Sequence, residues 1–246
     1  MRRVAVLGDV HGNAVALRAV LDELADERVD GIVWTGDLTW GWQPGETVEL
    51  IRSLELPSRF VRGNAELALT ELAAGTRAEV TDRDEWILAR HDADMLTFLG
   101  SFEEHVSLEL DGVGPTIFSH GSPRSDNECL TAETPGERVT AAMEGRDERV
   151  LVTGHTHCQY DREVAGLRSV NPGSVGMPYE GRAGAAFWAI LGPDVDLRST
   201  SFDAEAAAEA VRASGDPRAE QVLVELLTPS TREELIAHAE KLQFSD

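Results

Sequence analysis

Short apolar runs that end in glycine and then a polar residue recur through the first part of the chain. Val4-Ala5-Val6-Leu7 runs into Gly8-Asp9-Val10-His11-Gly12-Asn13, and Gly31-Ile32-Val33-Trp34-Thr35 runs into Gly36-Asp37. Arg59-Phe60-Val61-Arg62 runs into Gly63-Asn64-Ala65-Glu66. The first two runs are apolar enough to predict buried strands, and the third predicts a strand with the same ending. Between the first two, Leu17, Val20, Leu21 and Leu24 recur at helical spacing behind Asn13, a suitable N-cap, in a helix expected to end near Val29. Strand, helix and strand make a βαβ unit, which implies parallel strands and a right-handed crossover. The polar residues closing those strands should then meet at one edge of a sheet.

The pattern continues. Residues 46–54 read as a helix, and residues 67–100 as mostly helical with breaks near Gly75 and Thr81-Asp82. Residues 106–110 and 116–119 predict a hairpin turning through Asp111-Gly112-Val113-Gly114-Pro115, its second strand ending in Ser119-His120-Gly121. An acidic, alanine-rich helix is expected over 131–145, then a strand over 149–153 that leads into Gly154-His155-Thr156-His157. Further strands are expected at 163–170, 185–191 and 195–200. From Asp203 the pattern turns helical over 204–213 and 217–227, and Ser230 with Glu233 matches a capping box before a last helix. The domain expectation is a main α/β domain over 1–202 with a helical appendage over 203–246 packed on it. That appendage shows no catalytic-looking residue; it could pack on the core, cover a site or mediate self-association.

Composition narrows the class. With 42% hydrophobic and 27% charged residues the chain reads as a soluble globular protein. No apolar run approaches the roughly 18 residues of a membrane span, and Met1-Arg2-Arg3 precedes too short an apolar run for a secretory signal. Two cysteines, Cys129 and Cys158, suggest no disulfide framework, and the expected location is the cytoplasm. The formal net charge of -22 disfavours long DNA or RNA as a partner, because phosphate backbones are bound by clustered Lys and Arg.

Asp9 and His11 alone are equally well explained as a turn former and a helix-start residue. The full set of strand-end residues is more demanding: Asp9, His11, Asp37, Asn64, His120, His155 and His157. His155 and His157, two apart at a strand end, cannot both face an apolar core, because strand side chains alternate. Carboxylate and amide oxygens mixed with imidazoles, without thiolates, suit Mn, Fe or Zn better than Mg or Ca, and seven ligands suit two ions better than one. His91 and His105 read as ordinary structural histidines, and the Trp40/Trp42 pair as packing residues or a pocket lining.

The ordered motifs Asp-x-His, Gly-Asp, Gly-Asn, His-Gly and Gly-His-Thr-His resemble those of the calcineurin-like metallophosphoesterases, over roughly residues 4–200. Val170-Asn171-Pro172-Gly173-Ser174-Val175-Gly176 is similar to a segment of the small bacterial and archaeal phosphodiesterase branch. The resemblance implies a four-layer αββα sandwich of two mixed sheets flanked by helices. It also implies a di-metal site in which Asp9, His11, Asp37 and His157 hold one ion, Asn64, His120 and His155 the other, and Asp37 bridges them. Paired cations at that spacing activate a bridging water and clamp phosphoryl oxygens for in-line attack. The implied activity is hydrolysis of small phosphodiesters or nucleotides, with Asp37 and Asn64 at the reacting centre. Arg124, four residues after His120, is the candidate for holding a phosphate oxygen. Many members of that family carry Gly-Asn-His at the third motif, where the histidine is thought to protonate the leaving oxygen; here Ala65 stands in its place. The competing readings are a non-catalytic scaffold of the same fold, as in the retromer coat, and a nuclease.

Overall fold

The computed structural model describes residues 1–177 and 179–245. Among them, ten strands form two five-stranded mixed sheets. In the first, β1 (Val4–Leu7), β2 (Gly31–Trp34) and β3 (Ser58–Phe60) are parallel. The same sheet is extended antiparallel on the other side of β1 by β9 (Ala185–Leu191) and β10 (Val195–Ser201), in the order β10-β9-β1-β2-β3. The second sheet has the order β4-β5-β6-β8-β7, from β4 (His105–Leu110), β5 (Gly114–Ser119), β6 (Val150–Val152), β7 (Tyr160–Val164) and β8 (Leu167–Asn171). Its three central strands are parallel, and β4 and β7 close the edges antiparallel.

Strand periodicity sorts the apolar residues into layers. Val4, Val6, Val33 and Leu191 of the first sheet meet Val106, Phe118, Val152 and Val170 of the second in a dry inter-sheet core. The alternate residues Ala5, Leu7, Ile32, Trp34 and Trp188 face a helical layer that includes α1 (Ala14–Leu24), α2 (Pro44–Arg52), α3 (Asn64–Ala74), α4 (Asp82–Leu88) and α5 (Ala93–Leu99). On the far side Ile117 and Leu151 pack against Val139 and Ala142 of α6 (Gly136–Ala142). Helix, sheet, sheet and helix are the four layers the sequence motifs implied.

Beyond residue 203, α7 (Ala204–Ser214) and α8 (Ala219–Leu227) bury Ala207, Ala208, Val211, Val222 and Leu226 against Trp42 and Met177, next to the strand-end loops. The last helix, α9 (Arg232–Leu242), is tied to α6 and the loop before it, with the Glu240 carboxylate accepting from Thr131, Thr134 and Arg138.

Four local expectations are corrected. The strand expected over 163–170 is two antiparallel strands, because Ala165 and Gly166 turn the chain with left-handed φ of 52° and 78°. The capping box of the last helix belongs to Thr231 and Glu234, one residue later than expected: the Glu234 carboxylate accepts from the Thr231 N–H at 2.9 Å. Helix α1 stops at Leu24 instead of continuing toward Val29, and α6 occupies only the middle of the expected 131–145 segment, where Thr131–Thr134 hydrogen bonds build a turn instead.

Candidate metal centre

The register of the parallel strands brings the candidate ligands together. Leu7 is opposite Trp34, so the loops after β1 and β2 leave from one sheet edge. They stay joined beyond the strands, with Asp9 N–H donating to Gly36 O, His11 N–H to Asp37 O and Gly12 N–H to Leu38 O, each at 2.9 Å. In the second sheet Phe118 is opposite Val152, and Gly154 N–H donates to His120 O at 2.8 Å, so His120, His155 and His157 emerge side by side. The two edges are then linked across the sandwich: His120 Nδ1 lies 2.7 Å from Thr35 O, and the Asp9 carboxylate accepts the His155 N–H at 3.1 and 3.2 Å.

Seven side chains converge. His11 Nε2 lies 3.1 Å from His157 Nε2 and 3.8 Å from Asp37 Oδ2, and His157 Nε2 lies 3.2 Å from Asp9 Oδ1. His120 Nε2 lies 2.9 Å from Asn64 Oδ1, 3.2 Å from His155 Nδ1 and 3.4 Å from Asp37 Oδ1. The two Asp37 oxygens thus point to different histidines. Asp9 with His11 and His157, and Asp9 with Asp37 and His120, each present donor atoms within 4.8 Å of one another. Asp9, Asp37, His120 and His157 are buried, while His11, Asn64 and His155 are partly open to the cleft.

Holding these groups strains the backbone. Asp9, His11, Asp37, His155 and His157 have φ of 51°, 48°, 54°, 66° and 57°. Non-glycine residues in this region cost on the order of 1–3 kcal/mol each and persist only where their surroundings force them. Gly36, at φ 94°, makes the crossing possible: a methyl group there would sit 2.6 Å from Gly63 N and 2.9 Å from His120 Nδ1.

The electrostatics fit a cation. Burial disfavours the charge on Asp37, but the hydrogen-bonded His120, His11 and the Ala65 N–H outweigh it and hold the carboxyl well below its usual range. Asp9 is lowered in the same way, burial being outweighed chiefly by His157. Burial drives His11 down to about 4, and burial with the neighbouring His120 drives His155 to about 4. His120 goes the other way, to about 10, because Asp37 outweighs burial. Neutral His11 and His155 offer free nitrogen lone pairs beside two ionised carboxylates, and the proton His120 holds against Asp37 stands where a cation would replace it. Mixed oxygen and imidazole donors match borderline divalent ions.

Several supporting residues were not singled out by sequence. Glu66 is fully buried and accepts the N–H groups of Asp37, Leu38 and Gly63, each at 2.8 Å. Asn171 donates to Gly154 O at 2.7 Å and Thr156 Oγ1 at 3.2 Å, bracing the His-Thr-His loop. The Tyr179 ring stacks on His157 at 4.9 Å. Ser245 reaches His155 from the C-terminal segment. Glu66 and Asn171 stood in motifs already noticed; nothing local marks Tyr179 or Ser245.

Other candidates lie outside the cluster. Arg124 is forked onto the buried Glu128 at 2.8 and 2.6 Å, at the mouth of a small cavity of about 110 Å³ that also touches His120. Cys158 is buried, its thiol pushed up to about 12 by burial, and it is absent from both ligand groups among the described residues. His91 is satisfied by Ile87 O and Thr39 Oγ1, and His105 Nε2 lies 3.1 Å from Arg146. Trp40 and Ala65 line a cleft of about 540 Å³ with His11, Asp37 and Asn64.

The model of the calcineurin-like phosphoesterase superfamily domain matches residues 2–191. The chain belongs to that superfamily. Among its relatives, a symmetrical bis(5'-nucleosyl)-tetraphosphatase of Pectobacterium carotovorum is 29% identical over 141 residues, 56% of this chain and 50% of that enzyme. This chain therefore spans half the length of that relative. An uncharacterized protein of Methanocaldococcus jannaschii is 27% identical over 72% of this chain and 78% of its own. A metallophosphoesterase from Sphaerobacter thermophilus superposes with a TM-score of 0.70 at 26% identity, covering 92% of this chain and 98% of that one. A Pyrococcus horikoshii protein shares the fold at a TM-score of 0.79 and 21% identity, over 93% and 99% of the two chains. No described helix is long and apolar enough to cross a membrane.

Proposed function

We propose that this superfamily member is a metal-dependent hydrolase of small phosphodiesters or nucleotides. The observation that carries the reading is the convergence of the seven candidate ligands, from both sheets, on strained backbone at one mouth of the sandwich. Asp9, His11, Asp37 and His157 would hold one divalent cation and Asn64, His120 and His155 a second, with Asp37 shared, as its divergent oxygens support. Mn, Fe or Zn suits these donors. When bound, such a pair supplies Lewis acidity to water and to the phosphoryl oxygens.

The remaining roles belong to the chain. Asp37 and Asn64 border both the ligand cluster and the cleft, so the reacting phosphoryl group is assigned there. Arg124, oriented by Glu128 beside His120, is assigned to a phosphate oxygen. Ala65 has no proton to donate, so leaving groups that depart without protonation should be preferred. A cleft of about 540 Å³ suits a small ester, and the net charge of -22 works against long nucleic acid. The buried, unpaired Cys129 and Cys158 agree with a reducing cytoplasm. The test is hydrolysis of bis-p-nitrophenyl phosphate with added Mn: release of nitrophenol that chelator abolishes is expected, and no release in any of the three metals would refute the reading.

A further inference from the structure

The cleft does not end at the ligand cluster. Besides His11, Asp37 and Asn64, its lining includes Arg77, Arg83 and Arg218. Three arginines on one cavity wall are unexpected in a chain with 44 acidic and 22 basic residues, where a guanidinium easily finds a carboxylate.

Their partners leave guanidinium nitrogens unpaired among the described residues. Arg83, on α4, is forked onto the buried Asp216 through Nε at 3.1 Å and Nη2 at 2.9 Å, and its Nη1 has no partner among the described residues. Asp216 Oδ1 also accepts the Arg218 N–H at 2.8 Å, so one buried carboxylate positions both arginines. The Arg218 side chain makes no ion pair or hydrogen bond among the described residues. Arg77 has a long contact of 3.4 Å with Glu71, and its buried Nε is unpartnered. Of the acids on this wall, Asp84 is consumed by capping α4, its carboxylate accepting from the Thr81 N–H at 2.7 Å and hydroxyl at 2.8 Å.

We infer that this arm is a subsite for a second, non-reacting phosphate group, built from Arg77, Arg83 and Arg218, with Asp216 positioning the last two. The inference deepens the proposed function and rests on it. The substrate class it selects is a nucleotide with a polyphosphate chain, one phosphate at the candidate ligands and the next against the arginines. Guanidinium forks suit phosphate oxygens, and the half-buried Trp40 lines the same cleft. Arg83 belongs to the superfamily domain, while Asp216 and Arg218 lie beyond residue 203, so the appendage would complete the specificity pocket.

The experiment compares AMP with the α,β-methylene analogue of ATP by calorimetry on Mn-loaded protein. The analogue should bind at least about tenfold more tightly, the equivalent of about 1.4 kcal/mol. Arg218→Ala and Arg77→Ala should each cut that ratio severalfold, while Arg59→Ala, on an exposed ion pair outside the cleft lining, should leave it intact. A ratio near one in the native protein, or one unmoved by both cleft substitutions, would overturn the subsite. The two readings fail separately: hydrolysis of bis-p-nitrophenyl phosphate with a flat ratio removes the subsite alone, and absence of hydrolysis removes the proposed function whatever the ratio.

Discussion

The hydroxyl oxygen of Ser245 lies 2.7 Å from Nε2 of His155, a residue 90 positions earlier. The segment past α9 is held there by main-chain pairing, Cys129 N–H to Gln243 O and Ser245 N–H to Asn127 O, both 2.8 Å. When Ser245 accepts from a neutral His155 at Nε2, the Nδ1 lone pair faces the ligand cluster, the arrangement by which an outer partner supports a metal-binding imidazole. Ser245→Ala should weaken Mn binding by about tenfold or more, the usual cost of losing such an outer partner. Calorimetry on the metal-stripped protein checks this, and an unchanged affinity would contradict it.

Glu66 supports the opposite wall. Burial and the adjacent Asp37 charge push its carboxyl up to about 7, against the pull of the Leu38, Asp37 and Gly63 N–H groups. Glu66→Gln puts an amide donor where those donors need an acceptor, and one unsatisfied buried group costs about 1–3 kcal/mol. Urea denaturation of the metal-stripped variant should show that loss. Equal stability would mean the loop reorganises without cost.

His91 yields a pH prediction away from the ligands. Burial lowers its pKa below the ordinary 6.5. The unfolded chain therefore binds more protons between the two values, so this contribution is complete above pH 6.5 and is lost as pH falls below it. His91→Gln, which keeps a donor and an acceptor for Ile87 O and Thr39, should flatten the acid-side fall in stability of the metal-stripped protein. An identical slope in variant and native protein would exclude His91 as a source.

Ala65 lines the cleft at the start of α3, its N–H held by Asp37 Oδ1 at 2.9 Å. An imidazole there would stand beside the ester, where a general acid contributes about 10²–10⁴-fold. Ala65→His should raise turnover of an alkyl phosphodiester, whose poor leaving group needs the proton, more than that of a nitrophenyl ester. Equal effects on both substrates would count against a missing acid.

The fold and the candidate ligands were legible because both follow from short-range pattern. Val4-Ala5-Val6-Leu7 before Gly8-Asp9 and Gly31-Ile32-Val33-Trp34 before Gly36-Asp37 place two carboxylates on one edge, because parallel strands in register end together. What stayed hidden depends on distant contacts. Nothing around Ser245 shows that it returns to His155, and Arg83 and Arg218 become neighbours only through Asp216. The left-handed backbone of Asp9 and His155 was equally invisible, since local preference alone opposes it and the surrounding bonds impose it. The short turn at Ala165-Gly166 was missed because Val164-Ala165-Gly166-Leu167 reads as the apolar middle of a single strand.

The central claim is that the seven clustered side chains bind a catalytic pair of cations. Its most direct test is to titrate metal-stripped protein with Mn while following bound metal and bis-p-nitrophenyl phosphate hydrolysis together. Activity should rise as the second equivalent binds, and Asp37→Asn should abolish it. Hydrolysis that persists in chelator, or a chain that binds no metal and releases no nitrophenol, would contradict the account.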